Sequence, residues 1–352
     1  MTDNDPLTTR AAPVLTADET DTVRALTAAG FTDPEEIGRG GFGVVYRCRQ
    51  ESLDRTVAVK VLSTTLDPDN LDRFLREQRA MGRLSGHPHI VTVLQAGTGN
   101  TGLPYLVMHY HPHDSLEARI RRHGPLEWPE AVRIGIKVAG ALETAHRNDV
   151  LHRDVKPGNI LITEYGEPQL TDFGIARVGG GFRTSSGAIT GSPAFTAPEI
   201  LHGDTPTAAA DVYGLAATLF CSITGHAAYE RREGEKVVAQ FLRITSEPIP
   251  DLRGGGLPDS VCDVLERAMS TDPAARPQSA REFGEELQQL ESSFGLTVDN
   301  MALPEDVPTR STHESLPSTG PTTDSRSSRR RRSPRRRRHR PLASGHRRRT
   351  GR

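Results

Sequence analysis

The chain has 352 residues, of which 35% are hydrophobic and 25% charged, values that fit a packed protein rather than a wholly disordered one. Its net charge of −1 hides an uneven distribution, because residues 325–352 carry 14 arginines and no acidic residue. The three cysteines are too few for a disulfide framework, no apolar stretch is long enough to span a bilayer, and no signal peptide is visible. We therefore expect a cytoplasmic protein.

The first third of the chain predicts a linker followed by a sheet and one helix. Residues 1–30 are rich in Thr, Ala and Asp, and they predict a mostly disordered linker with a weak helical stretch near Asp18–Ala29. From Phe31 onwards, β-branched residues predict antiparallel strands at 44–46, 57–61 and 105–108. Apolar spacing predicts a helix before the last of these strands, through Leu71, Phe74, Leu75, Gln78 and Met81.

The chain then becomes helical up to residue 295. A capping box at Asp114–Glu117, an apolar period over 131–145 and a cap at Ser279 predict three of these helices. Because the sheet precedes the helices instead of alternating with them, the sequence predicts an α+β fold with two lobes, at 31–111 and 112–295. Residues 296–352, rich in Ser, Thr and Pro and then in Arg, predict a disordered tail.

A glycine-rich segment, Gly38–Val45, has the pattern G-x-G-x-x-G-x-V. Missing side chains let backbone N–H groups approach phosphates closely, so the segment is a candidate phosphate-binding turn. On its own, a glycine-rich hairpin without a ligand explains the pattern equally well. A dinucleotide-binding fold is excluded because a second strand follows where a helix should begin.

Lys60 ends the motif V-A-V-K on a predicted strand, where it shares one face with Ala58. This placement directs an amine towards the glycine-rich turn. Glu77, in the predicted helix, is a candidate partner that would hold Lys60 against the phosphates. The simpler alternatives are a solvated strand lysine and a solvated glutamate on the helix surface.

The segment from His152 to Asn159, H-R-D-V-K-P-G-N, is followed by Asp172-Phe173-Gly174. Two short predicted strands, 160–163 and 168–171, form a hairpin that would return Asp172 to the neighbourhood of Asn159. One carboxylate could then orient a hydroxyl while the other, together with an amide, holds a metal ion. This combination is too specific for a purely structural explanation.

In order and spacing, these motifs resemble the protein kinase family over about residues 31–295. The resemblance implies that Asp154 is the catalytic base, that Lys156 contacts the transferring phosphate, and that Asn159 and Asp172 coordinate Mg²⁺ or Mn²⁺. Lys156, two positions after Asp154, is typical of serine/threonine kinases. The implied ATP site comprises Gly38, Arg39, Gly40, Gly41, Phe42, Gly43, Val45, Ala58, Lys60, Met108, His109, Tyr110, His111 and Leu161.

The resemblance extends to residues with structural roles. It implies that Asp211 steadies the catalytic loop and that Arg276 pairs with Glu199 of the motif A-P-E. In kinases with an arginine at the position of Arg153, a phosphate on the activation loop pairs with it and orders the loop, which implies activation by phosphorylation. Self-association would let one copy of the enzyme phosphorylate the loop of another. The candidate sites are Thr184, Ser185, Ser186 and Thr190, the alternative being an unmodified polar loop.

The segments G-R-G-G-F-G-V-V-Y-R and T-G-S-P-A-F-T-A-P-E most resemble actinobacterial protein kinase K, whose kinase domain is normally joined to a longer regulatory region. The chain is then either a kinase-only relative or part of a longer one, with a role in bacterial signalling or transcriptional regulation. Its arginine runs would bind polyanions without sequence preference, or they reflect a truncation or frameshift. Two other functions stay open, a kinase-fold scaffold and a nucleic-acid-associated adaptor that acts through the basic tail.

Overall fold

The computed structural model of the protein describes residues 17–40, 43–62, 78, 81–98, 102–173 and 193–304. All of these residues fall in the first of two units, Met1–Glu305. Several predicted site residues lie outside the described residues: Gly41, Phe42, Glu77, Gly174, Thr184, Ser185, Ser186 and Thr190. The arginine runs of the tail lie outside them as well.

The predicted antiparallel sheet is present and has five strands in the order β1-β2-β3-β5-β4. Alternation gives the sheet two apolar faces, because Val57 and Val59 pack with Phe31 on one side while Ala58 packs with Met108 on the other. Every neighbouring pair of strands is antiparallel. The strands are β1 Phe31–Gly40, β2 Gly43–Gln50, β3 Arg55–Leu62, β4 Val93–Thr98 and β5 Pro104–His109.

A helix, α1 (Ala17–Ala28), precedes the sheet within the segment that the sequence assigned to a linker. Leu26 of this helix is only 3% exposed and belongs to the same apolar cluster as Phe31. The helical stretch that the sequence indicated near Asp18–Ala29 is therefore present, and Leu26 packs it against one face of the sheet. The sequence did not indicate this packing, because Leu26 is the one fully buried residue among residues 20–28.

The second lobe is helical, as predicted, and is built around the helix Trp128–His146, which is buried along most of its length. Ser115 and Ser279 cap their helices by accepting hydrogen bonds from Ala118 N at 3.2 Å and Glu282 N at 3.0 Å. The helices are α2 Leu116–His123, α3 Trp128–His146, α4 Pro198–His202, α5 Ala208–Thr224, α6 Val237–Ser246, α7 Asp259–Ala268 and α8 Ala280–Ser293. Within the described part of the chain, no helix is long and apolar enough to cross a membrane.

The predicted hairpin between the two acidic motifs consists of β6 (Ile160–Ile162) and β7 (Pro168–Leu170), paired antiparallel. Its outer edge is tied to the first lobe, because Leu170 N donates to His89 O at 2.9 Å and Val91 N donates to Leu170 O at 3.0 Å. The hairpin therefore holds the chain entering Asp172 between the two lobes.

After α8, residues 296–304 return along the second lobe and end beside α3. We call this segment the C-terminal strap. Its Met301 is 8% exposed and belongs to the main core cluster, against which Leu303 also packs. The prediction of a disordered tail from residue 296 is wrong for these nine residues, which were overlooked because only Met301 and Leu303 carry the burial.

Candidate active site

Two of the predicted catalytic residues, Asp154 and Lys156, form one hydrogen-bonded cluster with the predicted metal ligand Asn159, after α3. The Asp154 Oδ2 atom accepts hydrogen bonds from Lys156 Nζ at 2.7 Å and from Asn159 Nδ2 at 3.0 Å. Asn159 Nδ2 also donates to the Asp154 carbonyl at 2.7 Å. One carboxylate oxygen of Asp154 is thus fixed by two donors, while its side chain stays 27% exposed and accessible to a substrate hydroxyl.

Asn159 connects this cluster to Asp172. Its carbonyl oxygen accepts a hydrogen bond from Thr171 N at 2.9 Å, so the hairpin returns the acidic motif to the catalytic loop as predicted. Because the Asn159 amide nitrogen is already engaged with Asp154, its Oδ1 is the atom left to bind a cation. An amide oxygen beside a carboxylate is a suitable donor set for a hard divalent ion.

Asp172 forms an ion pair with Lys60, whose Nζ lies 2.7 Å from Asp172 Oδ2. Burial alone would raise the pKa of Asp172, but the charge and hydrogen bond of Lys60 offset it and hold that pKa below its ordinary value. Asp172 is therefore ionised at neutral pH. The sequence predicted Glu77 as the partner of Lys60, and that contact lies outside the described residues.

His152 is fully buried beneath the loop and was not assigned a role from the sequence. Its Nδ1 accepts a hydrogen bond from Asp154 N at 3.2 Å, so its Nε2 carries the proton and donates to Thr171 O at 2.7 Å. Burial lowers the pKa of His152, although the nearby Asp211 opposes this effect. The neutral ring bridges the two acidic motifs and packs edge-on against Phe173, 4.5 Å between centroids.

Asp211, on α5, holds the catalytic loop as the sequence implied. Its carboxylate accepts hydrogen bonds from His152 N at 2.8 Å, Arg153 N at 2.7 Å and His146 Nε2 at 2.8 Å. Burial favours the neutral acid, but these donors hold the pKa of Asp211 below its ordinary value. Arg153 has a φ of +70°, which is strained for a residue with a side chain. Its hydrogen bond to the charged Asp211 carboxylate stabilises this conformation.

The apolar part of the predicted ATP site is brought together between the lobes. Val45, Ala58, Met108, Tyr110 and Leu161 belong to one cluster. Gly43 closes the glycine-rich turn at a place where a side chain cannot fit, because a Cβ there would lie 2.1 Å from Val61 O.

The remaining predicted ATP-site residues have other partners. Arg39 is ion-paired with Glu36, and the N–H of His109 donates to Thr92 O at 3.1 Å, so this group is engaged within the sheet. Gly38 and Gly40 lie at the end of β1, and His111 is tilted against His109 with 6.3 Å between ring centroids.

A cleft of about 650 Å³ opens beside the catalytic loop and was not predicted. Pro157 and Phe195 contribute to its walls, with Glu117 from α2 and Gln240 from α6. Its size and the presence of Pro157, three residues after Asp154, in its wall suit an extended polypeptide segment. No local sequence signal identifies the cleft, because its walls come from five separate parts of the chain.

The predicted pair between Arg276 and Glu199 is present and bidentate, with N···O distances of 2.8 and 2.7 Å. Arg276 is buried, donates to Ser270 O and Ala209 O, and lies 5.0 Å from the centroid of the Tyr213 ring. All five N–H donors of its guanidinium have acceptors, and these hydrogen bonds fix α4 to the rest of the second lobe.

The chain matches the family described as "Protein kinase domain" over residues 31–287. Serine/threonine-protein kinase PknK of Mycobacterium tuberculosis is 66% identical over 306 residues, which make up 86% of this chain and 27% of that protein. PknD, from the same species, is 37% identical over 247 residues, or 69% of this chain and 37% of PknD. This chain thus spans roughly a quarter to two fifths of the length of these relatives.

Among solved structures, the M. tuberculosis PknI kinase domain aligns with a TM-score of 0.57 and 31% sequence identity. The alignment covers 74% of this chain and 96% of that one. The two-lobed architecture and the grouping of Lys60, Asp154, Asn159 and Asp172 agree with the family match. The chain belongs to the protein kinase family.

Proposed function

We propose that this protein is a serine/threonine kinase that transfers the γ-phosphoryl group of ATP to hydroxyls of proteins. The observation that carries the proposal is the convergence of Asp154, Lys156, Asn159, Asp172 and Lys60 in one hydrogen-bonded site. Phosphoryl transfer requires mainly positioned reactants and neutralised phosphate charge, and this set of side chains supplies both.

In the proposed reaction, Asp154 orients the substrate hydroxyl and accepts its proton. The hydroxyl oxygen forms a bond to the γ-phosphorus as the bond to the β,γ-bridging oxygen breaks, and ADP leaves with that electron pair. Lys156, held beside Asp154 at 2.7 Å, is placed to neutralise charge on the transferred group. Lys60, ion-paired with Asp172, supplies a second positive charge to the site.

Asn159 Oδ1 and the ionised Asp172 carboxylate would hold the metal ion. When bound, Mg²⁺ neutralises phosphate charge and orients the nucleotide. Mn²⁺ prefers the same oxygen ligands, so the donor set suits both ions. A titration of activity with each metal shows which ion the enzyme uses. The lowered pKa of Asp172 supports this assignment, because a protonated acid would not coordinate the ion.

Proteins containing Ser or Thr are the proposed substrates, with the cleft beside Pro157 receiving the polypeptide. Activation by autophosphorylation at Thr184, Ser185, Ser186 or Thr190, through transient self-association, is part of the proposal. So are a cytoplasmic location, a role in bacterial signalling or transcription, and non-specific polyanion binding by the tail.

The test is transfer of labelled γ-phosphate from ATP with Mg²⁺, to the protein itself and to a generic Ser/Thr substrate. Asp154→Asn should lose nearly all transfer while retaining nucleotide binding, since the amide cannot accept the proton. Asp149→Asn is the matched control, because Asp149 is exposed and its φ of +58° suits asparagine. Wild-type protein that folds and binds ATP but transfers no phosphate with either metal would contradict the proposal and favour a scaffold.

A phosphopeptide map of the wild-type product tests the regulatory part separately. Phosphate within residues 184–190 of active enzyme is expected. Active enzyme without phosphate in this segment would remove autophosphorylation from the proposal and leave the transfer activity intact.

A further inference from the structure

The C-terminal strap fits a channel that two helices leave open for it. A Cβ added to Gly284 of α8 would lie 2.4 Å from Met301 Sδ, and one added to Gly140 of α3 would lie 2.6 Å from Ala302 O. Glycines on both helices thus provide the space that Met301 and Ala302 occupy. A segment that merely followed the last helix would not require this close approach.

Polar contacts fix the start of the strap to the same two helices. Asp299 N donates to Glu291 Oε2 at 2.7 Å, and Asp299 O accepts from Gln288 Nε2 at 2.8 Å. The Asp299 carboxylate lies 3.5 Å from Lys137 Nζ. The strap itself lies beyond residue 287, where the family match ends.

The far end of the strap reaches the first lobe. Ala302 O lies 3.0 Å from His87 Nε2, and His87 Nδ1 accepts a hydrogen bond from His89 N at 3.1 Å. Because Nδ1 is the acceptor, Nε2 carries the proton and donates it to the strap. His87 thus joins the strap to the loop at residues 85–90.

That loop follows a helical turn, 81–84, which lies close to Asp172. His87 N donates to Leu84 O at 3.0 Å, closing the turn. Met81 lines a small cavity together with Asp172 and Phe173. Two hydrogen bonds therefore connect the strap to the turn 81–84, and Met81 of this turn lines a cavity with the residue proposed to bind the metal.

We propose that the C-terminal strap is a positioning element of the active site, with Met301 and the bond from His87 to Ala302 holding the turn 81–84 against Asp172 and Phe173. This inference rests on the proposed kinase activity. Displacement of the strap should therefore lower turnover. His87 and Met301 act through other residues and touch neither the nucleotide nor the substrate.

Two substitutions at His87 in the full chain separate the two hydrogen bonds of the ring. His87→Gln places an amide N–H near the position of Nε2 and keeps the donor to Ala302. His87→Asn places an oxygen near the position of Nδ1, which keeps the acceptor for His89 N but cannot reach the strap. We expect His87→Asn to lower kcat by roughly fivefold, about the effect of one hydrogen bond, and His87→Gln to stay within about twofold of wild type.

Met301 offers an independent pair. Met301→Leu preserves volume, whereas Met301→Ala empties the channel, so the alanine variant should lower kcat and raise hydrogen exchange at residues 81–90. KM for a peptide substrate should be unchanged in both variants, because the cleft beside Pro157 shares no residue with the strap. All rates are normalised to the fraction of protein that binds ATP.

Wild-type kcat in His87→Asn and Met301→Ala, with faster exchange at 81–90, would overturn the positioning role. Equal loss of kcat in the Gln and Asn variants would overturn the part assigned to the hydrogen bond with Ala302. An inactive wild type would instead contradict the proposed function itself, and the two failures are thus distinguishable.

Discussion

The backbone N–H of Arg153 donates to the carboxylate of Asp211 at 2.7 Å, although the two residues are 58 positions apart. The neighbouring N–H of His152 donates to the other oxygen of the same carboxylate. Arg153 has a left-handed backbone, and the adjacent His152 side chain holds Asp154 N. The conformation of the catalytic loop therefore depends on the buried charge of Asp211, which lies on α5.

Asp211→Asn should disrupt this arrangement. The amide presents an N–H₂ group to a set of three donors, so at least one buried N–H loses its acceptor, at a cost of about 1–3 kcal/mol of unfolding free energy. Turnover should fall more than KM for ATP rises, because the loop that carries Asp154 is disturbed. Denaturant unfolding and steady-state kinetics measure both effects. Asp204→Asn, at an exposed acid of the same lobe, is the control, and equal stability of the two variants would contradict the prediction.

The catalytic loop, the hairpin and the antiparallel sheet were predictable because each depends on short-range patterns. The eight-residue motif around Asp154 predicts the catalytic loop, and alternation of apolar residues predicts the strands. The pair between Arg276 and Glu199 was predictable only through the family resemblance, since no local signal joins residues so distant in the chain.

The contacts that were missed are long-range and rest on single residues. Leu26 and Met301 each belong to an apolar cluster, but their neighbours in the sequence are exposed or half-buried, so neither segment produces a periodic signal. Gly140 and Gly284 leave space for the strap, and only the tertiary fold shows that the strap crosses them. Likewise, the tautomer of His152 depends on Thr171 O, which the hairpin brings into contact.

Removal of the Arg276 side chain should be far more costly than removal of an exposed arginine. Arg276→Ala leaves Glu199 with an unpaired, largely buried charge, and the expected loss of unfolding free energy is about 3–5 kcal/mol. Arg267, which pairs with Glu282 and Glu286 at the surface, is the matched control, and its alanine variant should lose about 1 kcal/mol or less.

A double variant, Arg276→Ala with Glu199→Ala, tests the mechanism of that loss. If the cost arises from the stranded charge, the double variant should be less destabilised than the sum of the two single variants. Additive losses in chemical denaturation would show that the two side chains act independently.

Gly43→Ala should damage the turn between β1 and β2. Gly43 has a φ of +153°, and the new Cβ would lie 2.1 Å from Val61 O, an atom of the backbone that cannot move without disturbing β3. We expect a loss of roughly 1–3 kcal/mol in unfolding free energy. Gly38→Ala is the matched control, because a Cβ at that position meets nothing within 4 Å. Similar unfolding midpoints for the two variants would contradict the close approach at Gly43.

Stability should decline as the pH falls below about 6.5, because several buried histidines are held neutral. Burial lowers the pKa of His87, His89, His111 and His152. Because the pKa of each histidine is lower in the folded than in the unfolded chain, the unfolded chain binds more protons at pH values between the two pKa values. The stabilising effect of the neutral histidines is therefore complete above pH 6.5 and is lost progressively below it. Each such group contributes a slope of up to about 1.4 kcal/mol per pH unit.

His89 provides the sharpest test of this sign. Burial is the main cause of its lowered pKa, and Lys137 and Arg133 add to it, while the bond to Pro168 O and the charge of Glu167 oppose it. His89→Gln should therefore flatten the dependence of unfolding free energy on pH between 6.5 and 5, measured by denaturant titration at each pH. The carboxylates with lowered pKa, Asp172, Asp211 and Glu167, lose their contribution only at lower pH. A variant at the exposed His123 controls for the loss of a histidine, and a slope in His89→Gln as steep as that of wild type would contradict the assignment.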